Sequence, residues 1–165
     1  IPEKNQLWIS NGRKSWCESR DGTYLKTNLS QNKRRINDMT IVTSKNHRNK
    51  TLKKVIEKLN FKDQIIMGSV GCKISSILRG ESNIYICLSL PGKSSPKDWD
   101  FAAPEAILKT AGGSLTNLNN DDLSYGGSNF EQGGIIVATS DKFSHNSICK
   151  EIMQIIRKYD LYPFD

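Results

Sequence analysis

One segment near residue 100 combines two carboxylates with the predicted start of a helix. The apolar spacing predicts a helix over residues 98–111, which Gly112 ends. Pro104 is best tolerated in a first helical turn, so we expect Asp100 at or next to the amino-terminal cap. Amides and the dipole at such an end favour phosphate, and a carboxylate there can hold Mg²⁺. The alternative is that Asp98 or Asp100 only caps the helix.

A second group of residues that could bind an anion lies about thirty positions earlier. Gly68 and Ser69 offer backbone amides and a hydroxyl, and Lys73 follows near a predicted helix start. A lysine ammonium suits phosphate as a point charge. The structural alternatives are an ordinary turn at Gly68 and Ser69 and a surface lysine at Lys73.

The elements that carry these residues divide the chain near residue 38. Short strands with turn signals at Asn11-Gly12 and Asp21-Gly22 predict antiparallel pairing over residues 1–36. From Met39 onward, strands alternate with helices, which predicts a layered α/β domain over residues 39–165. We expect strands at 39–43, 64–67, 83–88 and 134–138 and helices at 47–60, 71–79, 98–111 and after the cap Asp141.

Charge is distributed unevenly along the 165 residues. The net charge is +7, with +9 in residues 1–60 and −2 in residues 61–165. A basic first third indicates an anionic partner, either nucleic acid or a phosphorylated small molecule. The alternative is a solvated basic face.

Hydropathy argues against a membrane-spanning protein, and cysteine spacing argues against a zinc finger. No apolar run approaches the roughly 20 residues of a membrane span, so we expect no membrane partner. The four cysteines are widely spaced without a CxxC motif, which argues against a zinc finger. We interpret them as reduced thiols of a cytosolic protein.

Three blocks of the sequence resemble one enzyme superfamily. Trp99 to Ala103, followed by Ala111-Gly112-Gly113, resembles the carboxyl-terminal signature of the inositol monophosphatase superfamily. The segment from Gly68 to Tyr85 is similar to the block that precedes this signature. Thr43 to His47 resembles the Ser-x-x-His element of the bisphosphate nucleotidase branch, and the order of the blocks agrees.

The resemblance implies a fold and a role for each candidate residue. It implies the sugar-phosphatase type of α/β domain, with residues 1–38 left from a preceding domain. It makes Asp100 a ligand of catalytic Mg²⁺, and it assigns substrate binding to His47, Gly68, Ser69 and Lys73. The implied activity of the intact protein is Mg²⁺-dependent phosphomonoester hydrolysis of 3′-phosphoadenosine 5′-phosphate-type nucleotides.

Two elements of that superfamily are missing from this sequence. The Asp-Pro-(Ile/Leu)-Asp-Gly-Thr motif and its upstream Glu do not occur, and Asp21-Gly22-Thr23 lacks the preceding Asp-Pro. One Asp cannot assemble a two-metal hydrolytic site. We therefore expect a carboxyl-terminal portion that is inactive alone, contains no catalytic residue besides the metal ligand, and needs an amino-terminal partner domain.

Two other functions stay open. Gly71 and Cys87 stand where nucleotidases of this branch show a Ser and an Arg, so an inositol- or sugar-phosphate phosphatase is the alternative within the superfamily. The alternative from another class is a nucleic-acid-binding module, because Trp8, Trp16 and Tyr24 lie within the basic first third. These aromatic residues fit strand packing equally well, and the sequence indicates no oligomeric state.

Overall fold

The computed structural model describes residues 1–27, 29, 32–45 and 49–164. Within them it contains two sheets, four α-helices and two short 3₁₀ helices, Pro2–Lys4 and Ile36–Asp38. In chain order, the other elements are β1 (Gln6–Ser10), β2 (Ser15–Ser19), β3 (Tyr24–Lys26), β4 (Thr40–Ser44), α1 (Lys50–Leu59), β5 (Asp63–Met67), α2 (Val70–Leu78), β6 (Ile84–Ser89), α3 (Asp98–Ala111), β7 (Ser114–Asn117), β8 (Gly134–Thr139) and α4 (Lys142–Lys158).

The first sheet is the antiparallel meander that the turn signals predict. Its strand order is β1-β2-β3. Asn11 shapes the β1–β2 turn, because its Oδ1 accepts the amides of Arg13 and Lys14, both at 3.0 Å. The sheet packs beside α3, where the Ser15 hydroxyl donates to the Ile107 carbonyl at 3.1 Å. The division into two domains near residue 38 stays a prediction.

The second sheet is mixed and confirms the predicted α/β class. Its order is β5-β4-β6-β8-β7, with β4 parallel to β5 and β6, and with β8 antiparallel to β6 and β7. β7 was not predicted from the sequence, since it is a four-residue strand of mostly polar residues. α1 begins later than predicted, because the Asn49 side chain caps it by accepting the Leu52 amide at 2.7 Å.

Helices cover both faces of this sheet. Along β6, Ile84, Ile86 and Leu88 point to the side of α1 and α4, whereas Tyr85 and Cys87 point to the side of α2 and α3. This alternation follows from the two-residue period of a strand. It places Tyr85 and Cys87 on the face that carries the candidate anion-binding residues.

The position of Pro104 corrects the place expected for Asp100 in α3. The helix already begins at Asp98, after the N-cap Lys97, so Asp100 is its third residue and Pro104 lies in its interior. A proline has no amide N–H, so the helical bond from residue 104 to the Asp100 carbonyl cannot form. The first turn of α3 therefore depends on contacts from outside the helix.

Two further features bear on function. The cysteines Cys17, Cys72, Cys87 and Cys149 are all free thiols. Among the described residues, none of the helices combines the length and apolarity of a membrane span.

Candidate functional site

The candidate site lies where α2 and α3 begin, beside the carboxyl end of β5. β5 ends at Met67, and Gly68 and Ser69 then lead into α2 with both residues exposed. The Ser69 hydroxyl caps α2 by accepting the Cys72 amide at 3.2 Å. The two residues before α2 are thus open to solvent at a helix start, the kind of place where proteins bind anions.

Lys73 is a buried cation at this helix start. Its residue is 3% exposed, and its ammonium donates to the Gly68 carbonyl and lies 5.2 Å from the centre of the Tyr85 ring. In the described part of the chain, no carboxylate lies within 4.0 Å of this ammonium. Buried charges ordinarily have an ionic partner, so Lys73 leaves positive charge for an anion to balance.

The surroundings of Lys73 shift several pKa values. Burial lowers the pKa of Lys73, while the nearby Cys87, Cys72 and Asp100 act to raise it. Burial also raises the pKa of the Cys87 thiol and, well above its usual value, that of the Tyr85 hydroxyl. Cys87 is therefore a neutral thiol at neutral pH.

Asp100 stands at the start of α3 with its carboxylate half-buried. Its Oδ2 accepts the Lys97 amide at 2.9 Å. Within the described ranges, its Oδ1 receives no hydrogen bond, and no Lys or Arg forms an ion pair with it. Asp100 is thus partly a helix cap and still has one oxygen for another ligand. We call Gly68, Ser69, Lys73, Tyr85 and Asp100 the α2–α3 site.

The α2–α3 site can supply one carboxylate to a metal ion. Among the residues that the structure describes, no group of three or more His, Cys, Asp or Glu side chains converges to hold one. Mg²⁺ prefers several oxygen ligands, including carboxylates, waters and substrate phosphate. The described residues therefore fit one ligand position of a divalent-metal site, at Asp100.

The structure brings four of the five predicted residues to one edge. Gly68, Ser69 and Lys73 share the start of α2, and Asp100 acts electrostatically on Lys73 from the start of α3. His47 lies outside the described residues, so its role stays a prediction.

Tyr85 and Asp98 are the residues whose part in the site the sequence did not reveal. The alternation of Tyr85 with the aliphatic residues of β6 is the signal that places it on the α2 side. Asp98 is 9% exposed, and both of its carboxylate oxygens accept hydrogen bonds from a distant loop. Sequence spacing alone contains no signal for those partners.

Curated relatives of this chain are phosphatases by name. A 3′(2′),5′-bisphosphate nucleotidase 1 of Rattus norvegicus is 35% identical over 85 residues, which are 52% of this chain and 26% of the relative. The Golgi-resident adenosine 3′,5′-bisphosphate 3′-phosphatase of Mus musculus is 26% identical over 145 residues, 84% of this chain and 38% of the relative. Inositol monophosphatase 3 of Xenopus laevis is 27% identical over 134 residues, 77% of this chain and 36% of the relative.

Solved structures share the fold. An inositol monophosphatase of Thermotoga maritima matches with a TM-score of 0.61 and 15% identity over 88% of this chain and 53% of its own. Inositol monophosphatase II of Staphylococcus aureus matches with a TM-score of 0.59 and 16% identity over 92% of this chain and 56% of its own. The chain thus spans about half the length of these structures.

The match to a family model covers nearly the whole chain. The model of the inositol monophosphatase family matches residues 1–157. It includes the antiparallel first sheet, the α2–α3 site and most of α4. The chain therefore belongs to the inositol monophosphatase family, as the resemblance of its three sequence blocks predicted.

Proposed function

We propose that this chain forms the phosphate-binding part of a phosphomonoesterase in the intact protein. The observation that carries the proposal is the buried ammonium of Lys73, which has no carboxylate within 4.0 Å among the described residues. It lies at the start of α2, next to the exposed Gly68 and Ser69, and the half-buried Asp100 acts on it electrostatically. A cation, a helix start and a carboxylate at one edge suit a phosphate with a divalent metal.

Each group of the α2–α3 site has its own part in binding. The amides at the start of α2 and the Ser69 hydroxyl bind phosphate oxygens, while Lys73 balances their charge from below. The Tyr85 ring contacts the Lys73 ammonium and keeps its Nζ near the Gly68 carbonyl. These residues orient a phosphate and do not themselves transfer a proton.

Asp100 would hold Mg²⁺ through its free carboxylate oxygen, together with ligands from outside the described residues. When bound, the metal supplies Lewis-acid polarisation of the phosphate and activation of a water. We propose that an amino-terminal segment of the same protein supplies these further ligands. On this proposal, residues 1–165 bind a phosphate compound without hydrolysing it.

The substrate class that we propose is a bisphosphate nucleotide of the 3′-phosphoadenosine 5′-phosphate type. It is supported by the bisphosphate nucleotidases among the curated relatives, with the rat enzyme 35% identical over 85 residues. The second candidate is an inositol or sugar phosphate. It is favoured by Cys87, which stands where nucleotidases of this branch show an Arg, so that this position supplies no cation for a second phosphate.

Binding of adenosine 3′,5′-bisphosphate by residues 1–165 tests this proposal by calorimetry. Lys73→Met should weaken the binding at least tenfold, because a charged hydrogen-bonding partner of the phosphate is lost, worth about 1.5–3 kcal/mol. Lys54→Met, at an exposed position of α1, is the matched control and should bind like the wild type. Equal affinity of the wild type and Lys73→Met would refute the role of Lys73, and tighter binding of inositol 1-phosphate would favour the second candidate.

A further inference from the structure

Residues 124–132 form a strap that crosses the start of α3. Asp98 Oδ2 accepts the Gly126 amide at 2.6 Å, and Asp98 Oδ1 accepts the Gln132 Nε2 at 2.6 Å. The Asp98 amide in turn donates to the Phe130 carbonyl at 2.8 Å. Asp98 and Gln132 are 9% and 6% exposed, so these bonds are largely shielded from water. Asp98 therefore holds the strap at three points.

The same strap also fixes Lys97, the residue before Asp98. The Lys97 ammonium forms an ion pair with Glu131 at 2.9 Å and donates to the Asn129 carbonyl at 3.1 Å. The backbones of Lys97 and Glu131 form an isolated antiparallel bridge. The Lys97 amide is the donor to Asp100 Oδ2, at 2.9 Å. The strap thus reaches the Asp100 carboxylate through the backbone of Lys97.

The strap compensates for a weakness within α3. Pro104 has no N–H to bond the Asp100 carbonyl, so the first turn lacks one of its own hydrogen bonds. Helix starts also have amides without partners inside the helix. The contacts of Asp98 and Lys97 hold this turn from outside, which fixes the direction of the Asp100 side chain.

We propose that Asp98 is a positioning residue, which orients the Asp100 carboxylate for a divalent cation by holding the 124–132 strap against Lys97. This inference rests on the proposed metal-binding role of Asp100. Asp98 cannot take that role itself, because both of its oxygens accept hydrogen bonds from the strap. Asp98 acts on the metal only through the geometry of its neighbour.

The test compares Asp98→Asn and Asp100→Asn with the wild type in the intact protein. Two readouts are measured for each: direct Mn²⁺ binding, and the Mg²⁺ concentration for half-maximal phosphate release. In Asp98→Asn, an NH₂ group replaces one carboxylate oxygen and faces the N–H donor of Gly126 or Gln132, so that one hydrogen bond to the strap is lost. We therefore expect about tenfold weaker metal binding in both readouts. Asp63→Asn, at an exposed position of β5, is the matched control and should match the wild type.

Two results distinguish a failure of the positioning role of Asp98 from a failure of the proposed metal-binding role of Asp100. If Asp100→Asn binds Mn²⁺ like the wild type, the proposed metal role of Asp100 is wrong. If Asp100→Asn loses metal affinity and Asp98→Asn keeps it, only the positioning role is wrong. Should Asp98→Asn fail to fold, Gln132→Met removes the donor to Asp98 Oδ1 and should weaken Mn²⁺ binding in the same direction. A folded Gln132→Met with unchanged Mn²⁺ affinity would overturn the inference.

Discussion

At the scale of single residues, the α2–α3 site combines the buried ammonium of Lys73 with the half-buried carboxylate of Asp100. Both were candidates from residue type and position next to predicted helix starts. The sequence did not indicate that Lys73 is 3% exposed, because its burial depends on Tyr85, a residue of a separate strand. Because a buried ammonium ordinarily has an ionic partner, the burial of Lys73 indicates an anion site.

Asp100→Asn in the intact protein should preserve the fold and lower turnover by about 100-fold, equivalent to about 3 kcal/mol of transition-state stabilisation. The Asn side chain still accepts the Lys97 amide, but it brings no negative charge to a divalent cation. Turnover against Mg²⁺ concentration checks the effect, with thermal melts as the control for folding. A variant that melts normally and keeps wild-type turnover at low Mg²⁺ would show that Asp100 is only a helix cap.

His145 is expected to make stability depend on pH. It is 2% exposed, its ring nitrogens lie 2.8 Å from the Thr116 and Thr139 hydroxyls, and burial lowers its pKa to about 4. Nearby, Asp141 acts to raise this pKa and Lys109 acts to lower it. Unfolded His titrates near pH 6.5, so between about pH 6.5 and 4 the unfolded chain binds a proton that the native chain does not.

The contribution of His145 to stability is therefore fully present above pH 6.5 and is lost as the pH falls towards 4. The loss should reach about 3 kcal/mol, from the size of the pKa difference. Urea denaturation at several pH values measures it, and His145→Asn should show a smaller loss of free energy of unfolding over this range. Identical pH dependence in the two proteins would contradict the assignment to His145.

At the scale of elements, the sequence predicted the helices and most strands but not how α3 is held. Periodicity and Gly112 defined residues 98–111 as a helix, which the structure confirms. The partners of Asp98, Gly126 and Gln132, lie 28 and 34 residues away in the chain. No local pattern encodes such contacts. The expectation that Pro104 lies in the first turn was wrong, because α3 begins at Asp98 and contacts from outside the helix hold its first turn.

Gly113, directly after the end of α3, should not tolerate a side chain. A Cβ there would lie 2.6 Å from Leu108 Cδ1 and 2.7 Å from the Thr139 carbonyl oxygen. Since a backbone carbonyl of β8 cannot move without disturbing the sheet, Gly113→Ala should lower the free energy of unfolding by about 1–3 kcal/mol. Gly127→Ala, whose Cβ would meet nothing within 4 Å, is the matched control and should change it by less than about 0.5 kcal/mol. Equal stability of the two variants in urea denaturation would refute the steric argument.

At the scale of the whole molecule, the resemblance of three short blocks predicted both the family and the α/β class. The match to the inositol monophosphatase family over residues 1–157 confirms the family. The mixed strand order β5-β4-β6-β8-β7 could not be predicted from the sequence, because the register of distant strands depends on long-range packing. The chain spans about half the length of the solved structures, and among its described residues no group of three or more His, Cys, Asp or Glu side chains could hold a metal ion.

The most direct test of the central proposal is Mg²⁺-dependent release of phosphate from adenosine 3′,5′-bisphosphate, measured side by side for the intact protein and for residues 1–165. Contaminating phosphatase is excluded by the Asp100→Asn variant of the intact protein, purified in the same way. We predict release that requires Mg²⁺ from the intact protein and none from residues 1–165, because on our proposal the α2–α3 site binds phosphate and Asp100 is the one carboxylate that its described residues supply to a metal. Phosphate release by residues 1–165 alone, or no release by the intact protein from either adenosine 3′,5′-bisphosphate or inositol 1-phosphate, would contradict the account.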